Sequence, residues 1–167
     1  VLFRSIRPED RLQSAMEVLD HLPRYGTMVS LVVGAGADLL EQRVDAIIYT
    51  ANERLLMGRP GSLDAAIVSR GGPVIRDEAL QRAPARVGSV IATSGGNLAA
   101  RYVFHAVALH LDHMGDQRPI LERDLRKALW SCFRKAHEMR LKSIALPAMG
   151  TQSGALSPED SARMLVD

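Results

Sequence analysis

The chain lacks most of what would hold it together or anchor it from outside its own core. Of its 167 residues only Cys132 is a cysteine, so no internal disulfide can form and a reducing cytoplasm is the expected compartment. No apolar run approaches the roughly 20 residues of a membrane-spanning helix, and no signal peptide stands at the front. Aromatic residues make up 4%, and the formal net charge is +2 with acids and bases interspersed. Without a basic cluster and aromatic platforms, the sequence points away from nucleic acid. No loop ends in the G-K-[ST] of a P-loop, which excludes magnesium-dependent triphosphate chemistry of that type. No G-x-S-x-G elbow is present either. His110, Asp112 and His113 lie close together, but no further ligand set frames them, so neither a metal nor a cofactor is expected.

What is present is an ordinary globular composition, 47% hydrophobic and 24% charged, in a length that suits one domain. Residues 1–27 read as an N-terminal helix or linker, with Leu12, Met16 and Leu19 roughly on one side. Residues 28–34, MVSLVVG, form an apolar run typical of a strand. The glycines after it suggest a dinucleotide fingerprint, but Leu39 occupies the place of the third glycine. A Rossmann-type NAD-dependent oxidoreductase is therefore only a remote alternative.

Val44 to Tyr49, VDAIIY, is apolar on both faces, as in a central strand covered on both sides. Thr50-Ala51-Asn52 follows as a turn, where the Asn52 side chain can bond nearby backbone. LLMGRPGS is a loop, and Ser62 caps the helix that begins near Leu63 with Asp64 in its first turn. Ala65, Ala66, Ile67 and Val68 are core candidates. A second helix runs up to Pro84. Further strands are expected at 87–93, 101–107 and 143–147. His105, inside the fourth of these five, reads as a satisfied structural histidine. Residues 119–141 read as a long amphipathic helix in which Trp130 and Cys132 are packing residues. The loop AMGTQSGALSP leads to a helix capped at Ser157. The chain opens at Val1 and stops at Asp167 inside that helix, so a domain truncated at its C-terminus is expected.

Two small-residue loops, 57–63 and 149–157, each lie between a strand and a helix start. Small residues let backbone N–H groups approach a pyrophosphate, and helix N-termini favour its charge. Residues alone thus predict an α/β domain that grips a diphosphate.

With those motifs in place, the chain resembles the macrodomain family. VDAIIYTAN is similar to the family's V-D-A-I-V-N-A-A-N strand and turn, and RYVFHAV to its K-Y-V-I-H-x-V strand. LLMGRPGSLDAAI and LPAMGTQSGALSPEDSA are similar to its two phosphate loops with their helices, and GADLL to its G-D-I-T segment. The resemblance covers residues 28–167. It implies a three-layer α/β/α sandwich with a mixed, mostly parallel central sheet. It also implies a binding domain for ADP-ribose or related NAD-derived metabolites, free or attached to protein. By similarity Asp38 would accept from the adenine amino group with Leu39 alongside, and Asn52 would contact the distal ribose. Gly58, Arg59, Gly61, Ser62 and Leu63 would form one phosphate loop. Gly150, Thr151, Gln152, Ser153, Gly154 and Ala155 would form the other. The alternative it implies is an ADP-ribosyl hydrolase or O-acetyl-ADP-ribose deacetylase, with Asn52 and Asp64 positioning a water. The chain departs from that subgroup at Val68, where a histidine would stand, and from the wider family at Tyr49, Arg59-Pro60 and Gln152.

Overall fold

A computed structural model describes residues 38–151 together with Leu156, Ser157, Asp160, Ser161, Arg163 and Met164. The expected N-terminal segment 1–27, the run 28–34 and Gln152 to Ala155 lie outside the described residues. Among the described residues, four strands form one sheet: β1 (Ala46–Asn52), β2 (Val90–Ser94), β3 (Tyr102–Leu109) and β4 (Ile144–Ala145). Their order is β2-β3-β1-β4, with β1 parallel to β3 and β4, and β2 antiparallel to β3. The helices described in full are α1 (Leu63–Gly71), α2 (Pro73–Leu80) and α3 (Glu122–Glu138).

Strand alternation sorts the core into two layers. Ile48 of β1 and Phe104, Ala106 and Ala108 of β3 face α3, where Leu125, Ala128, Leu129 and Cys132 meet them. Ile47, Tyr49 and Ala51 with Val103 and Val107 face the other way, onto Ile67 of α1 and Ile75 of α2. Successive strand side chains point to opposite faces, so a continuous apolar run is what a sheet covered on both sides requires. Each large side chain buried this way contributes about 1.5–3 kcal/mol. The α/β/α sandwich read from the sequence is the architecture found.

Several boundaries moved. The first strand extends to Asn52 because its pairing with β3 continues to Leu109, past a register shift between Ala51 and Asn52. The last strand shrinks to two residues. Trp130 is not a packing residue: it is 65% exposed, and Phe133 is 40% exposed. At 100° per residue Trp130 lies across the helix from Cys132, and Arg134 stacks over its ring instead. Cys132 does pack, and burial pushes its thiol up to about 12, which leaves it unreactive. Of the four candidates on α1, Ile67 is the one fully buried.

His105 is buried, as a structural histidine should be, and both ring nitrogens are satisfied. Tyr49 Oη lies 2.8 Å from Nδ1 and Thr93 Oγ1 lies 3.0 Å from Nε2. Tyr49 and His105 face each other in register across β1 and β3. Burial and then the charge of Arg82 push the imidazole down to about 4, against a smaller opposing effect of Glu78. The folded state therefore holds His105 neutral where the unfolded chain would protonate it. Its contribution is complete above the ordinary value of 6.5 and is lost as pH falls from there toward about 4. That loss is worth about 3 kcal/mol in full. The Asp38, Asp45 and Glu78 carboxyls, held below their ordinary values of 3.8 and 4.5, lose their contributions only at more acid pH. Unfolding midpoints should stay level from pH 7.5 to about 6.5 and fall from there to pH 4.5, and that fall should flatten in His105→Gln; equal slopes would refute the assignment.

Candidate functional site

The carboxyl ends of β1 and β4, with that of β3 beside them, carry the candidate site. β1 ends at Asn52, which is 7% exposed. Its Oδ1 accepts from Arg54 N and Leu56 N, each at 3.1 Å, and its Nδ2 donates to the Leu56 carbonyl at 2.9 Å. The side chain thus does what turn asparagines do, and pins the first turn of the loop. The turn closes through Leu55 N on the Asn52 carbonyl at 2.9 Å, with Leu55 at φ 53 and its side chain fully buried. A buried leucine in that conformation is held there by its surroundings.

Beyond Leu56 the loop opens to solvent. Gly58 and Gly61 have φ of +105 and +78, and a Cβ at either would meet nothing within 4 Å. Backbone conformation, not crowding, calls for glycine at both, and the space beside them is open. Asp64 Oδ2 accepts from Gly58 N at 2.9 Å, tying the loop to the first turn of α1. Ser62 Oγ accepts from Ala65 N at 3.2 Å as the N-cap of α1 and donates to the Arg59 carbonyl. Arg59 reaches Gln117 Oε1 at 3.2 Å, and Arg54 reaches the Asp112 carbonyl at 3.3 Å. Residues 110–118 form a second wall, closed by a bridge between Leu111 and Gln117 and held by Glu53, whose carboxylate accepts from Leu111 N.

The second loop starts beside the same strand. Thr50 Oγ1 lies 3.7 Å from Met149 Sδ. Gly150 has φ +81, and a Cβ there would press Leu156 and Leu125 at 3.0–3.2 Å. Thr151 Oγ1 donates to the Ala148 carbonyl at 2.8 Å, and Leu156 N donates to the Gly150 carbonyl at 3.2 Å. The bond from Leu156 to Gly150 brings the ends of the loop together. Ser157 caps the helical residues that follow by accepting from Asp160 N at 3.0 Å. Gln152, Ser153, Gly154 and Ala155 fall between these described anchors.

Asp38 sits elsewhere, at the mouth of a short 3-10 turn spanning Leu39–Glu41. Its Oδ1 accepts from Leu40 N at 2.8 Å, and its Oδ2 from Arg70 of α1. Leu39 and Leu40 are both buried behind it. Burial raises the Asp38 carboxyl, but the Leu40 N–H and the Arg70 guanidinium outweigh it and hold the group below its ordinary value. The described residues therefore join Asn52, Asp64 and the first loop into one unit on β1 and α1, with the second loop starting alongside.

The macro domain family model matches residues 48–165. The chain belongs to the macro domain family. Among its relatives, an uncharacterized protein of Aeropyrum pernix is 38% identical over 133 residues, spanning 80% of this chain and 67% of that one. A Mycobacterium tuberculosis relative is 35% identical over 130 residues, spanning 78% of this chain and 34% of its own length. The chain thus spans about a third of the length of that mycobacterial relative. Among solved structures, the macrodomain of Mycobacterium tuberculosis DarG superposes with a TM-score of 0.69 at 21% identity, covering 84% of this chain and 89% of that one; this is a likeness of fold. A Trypanosoma brucei macrodomain solved in complex with ADP-ribose is 31% identical, with a TM-score of 0.56 over 74% of this chain and 52% of its own.

Within this macro domain, sequence reasoning did not point to Arg70, Glu53 or Gln117. Arg70 and Asp38 are 32 residues apart, and Glu53 and Leu111 are 58 apart. Only the parallel pairing of β1 with β3, and the return of α1 along the sheet, bring such residues together.

Proposed function

We propose that this macro domain binds ADP-ribose, free or attached to protein, across the carboxyl ends of β1 and β4. The observation that carries the reading is the pair of glycine-bearing turns, Gly58–Ser62 and Met149–Thr151, flanking the end of one strand. Backbone N–H groups in such turns, together with the N-terminus of α1, suit a diphosphate. In this reading Asp38 receives the adenine amino group, with Leu39 alongside, and Asn52 lies nearest the distal ribose. Gln152, Ser153, Gly154 and Ala155 complete the second phosphate loop. Family membership and the ADP-ribose complex of the Trypanosoma brucei relative support it. Asp64 acts here by shaping the loop through Gly58 rather than by activating water, which favours a binding domain over a hydrolase.

Calorimetric titration decides it. ADP-ribose should bind at least about tenfold more tightly than AMP, because the second phosphate and distal ribose add contacts that AMP lacks. Absence of heat with millimolar ADP-ribose would refute the proposal. Release of ADP-ribose from a mono-ADP-ribosylated protein, lost in Asp64→Ala, would replace it with the hydrolase reading.

A further inference from the structure

Arg70 stands in the last turn of α1, and nothing in the sequence pattern marks it. One terminal nitrogen of its guanidinium donates to Asp38 Oδ2, and the other to Glu41 Oε1 at 3.3 Å. Asp38 also accepts from Leu40 N at 2.8 Å through its other oxygen. A carboxylate has about four lone-pair positions and a guanidinium five N–H donors, so both groups keep hydrogen-bonding capacity after these contacts. The Asp38 and Arg70 side chains are 39% and 40% exposed. The molecule thus presents to solvent a fixed acceptor beside a fixed donor. Glu41 holds the guanidinium from its far side, and Leu40 holds the carboxylate from below.

We propose that Arg70 is a specificity-determining residue which, together with Asp38, reads the substituent at position 6 of the ligand's purine. The proposal rests on the ADP-ribose reading with Asp38 at the base. An amino group at that position donates to Asp38. An oxo group accepts from Arg70. A carboxylate alone would repel the oxo oxygen, whereas the pair receives either purine. The ligand class is then purine nucleoside diphosphate ribose, not the adenine compound alone.

Titration of the full chain with ADP-ribose and with its hypoxanthine counterpart tests this. The wild-type chain should prefer ADP-ribose by less than about tenfold, since each base finds one complementary partner. Arg70→Leu should widen the preference to about a hundredfold, because the oxo group then faces only a carboxylate. Arg70→Lys retains a cationic donor and should restore a ratio near that of the wild type. Asp38→Asn should shift the preference toward the oxo purine. A role for Arg70 in folding alone would weaken both ligands equally and leave the ratio fixed. An unchanged ratio in Arg70→Leu or Asp38→Asn, with ADP-ribose still bound, would overturn this proposal alone. Failure of the wild-type chain to bind ADP-ribose would overturn it together with the reading beneath it.

Discussion

Replacing Asn52 with leucine is expected to weaken ADP-ribose binding by at least about a hundredfold and to lower the unfolding midpoint by roughly 5–10 °C. The side chain makes three hydrogen bonds to the backbone of 54–56 while almost fully buried. Leucine has similar volume and supplies none of them. A buried donor or acceptor left unpaired costs about 1–3 kcal/mol. Leu56 is 51% exposed, so water can replace part of what is lost on its backbone. A net cost of about 2–3 kcal/mol follows, and in a chain of this size that converts to the midpoint shift above. The larger effect is on the ligand. Leu55 is kept at φ 53 by the turn Asn52 closes, and Gly58 and Gly61 are placed by that turn. Asn52→Asp keeps the acceptor oxygen but sets a second, charged oxygen against the Leu56 carbonyl at a nearly buried site, so it should lose stability as well. Thermal unfolding and calorimetry on the two variants check both halves. A leucine variant that binds as the wild type does would show that the loop does not depend on this residue.

Gly96→Ala is expected to cost about 3 kcal/mol or more of stability. Gly96 lies between β2 and β3 at φ +55, and a Cβ there would sit 2.0 Å from the Gly71 carbonyl oxygen. Both the conformation and the contact exclude a side chain. The obstacle is backbone, which cannot rotate away as a side chain would. Asn97 N donates to that same Gly71 carbonyl at 2.9 Å, so relief requires the turn to part from the end of α1. Gly61→Ala is the comparison: its φ is +78, yet nothing stands within 4 Å. It should cost about 1 kcal/mol from conformation alone. Denaturant midpoints that fell equally for the two variants would show that crowding at Gly71 is not what Gly96 relieves. Because Arg70 precedes Gly71, the Gly96 variant should also disturb the Asp38 contact.

The fold was legible in the sequence where one residue type repeats with one period. The apolar run over β1 and β3 announces a sheet buried on both faces, and the stripe through Leu125, Ala128, Leu129 and Cys132 announces α3. Ser62 and Ser157 announce helix starts through their hydroxyls. Exceptions arise where tertiary pairing overrides the local pattern. Ile144 and Ala145 alone pair with β1, although five residues there have strand character. Trp130 follows the helix period onto the solvent side, where its size alone had suggested the core. The contact of Tyr49 with His105 depends on register between strands that lie 56 residues apart. At the site, the glycines mark the loops because their conformations are local. The clamp of Arg70 on Asp38 and the wall built by residues 110–118 are made by distant segments, and no local signal points to them.

The sheet's strands are joined unequally. β1 pairs with β3 over seven residues but with β4 over only two. Opening a short ladder exposes little apolar surface and breaks few hydrogen bonds, so such a junction separates well before the whole domain unfolds. The first glycine loop hangs from the strongly joined strand, and the second follows the weakly joined one. A ligand held by both loops would act as a rivet across the weakest seam of the sheet. Part of its binding energy would go into clamping a part of the protein that otherwise breathes.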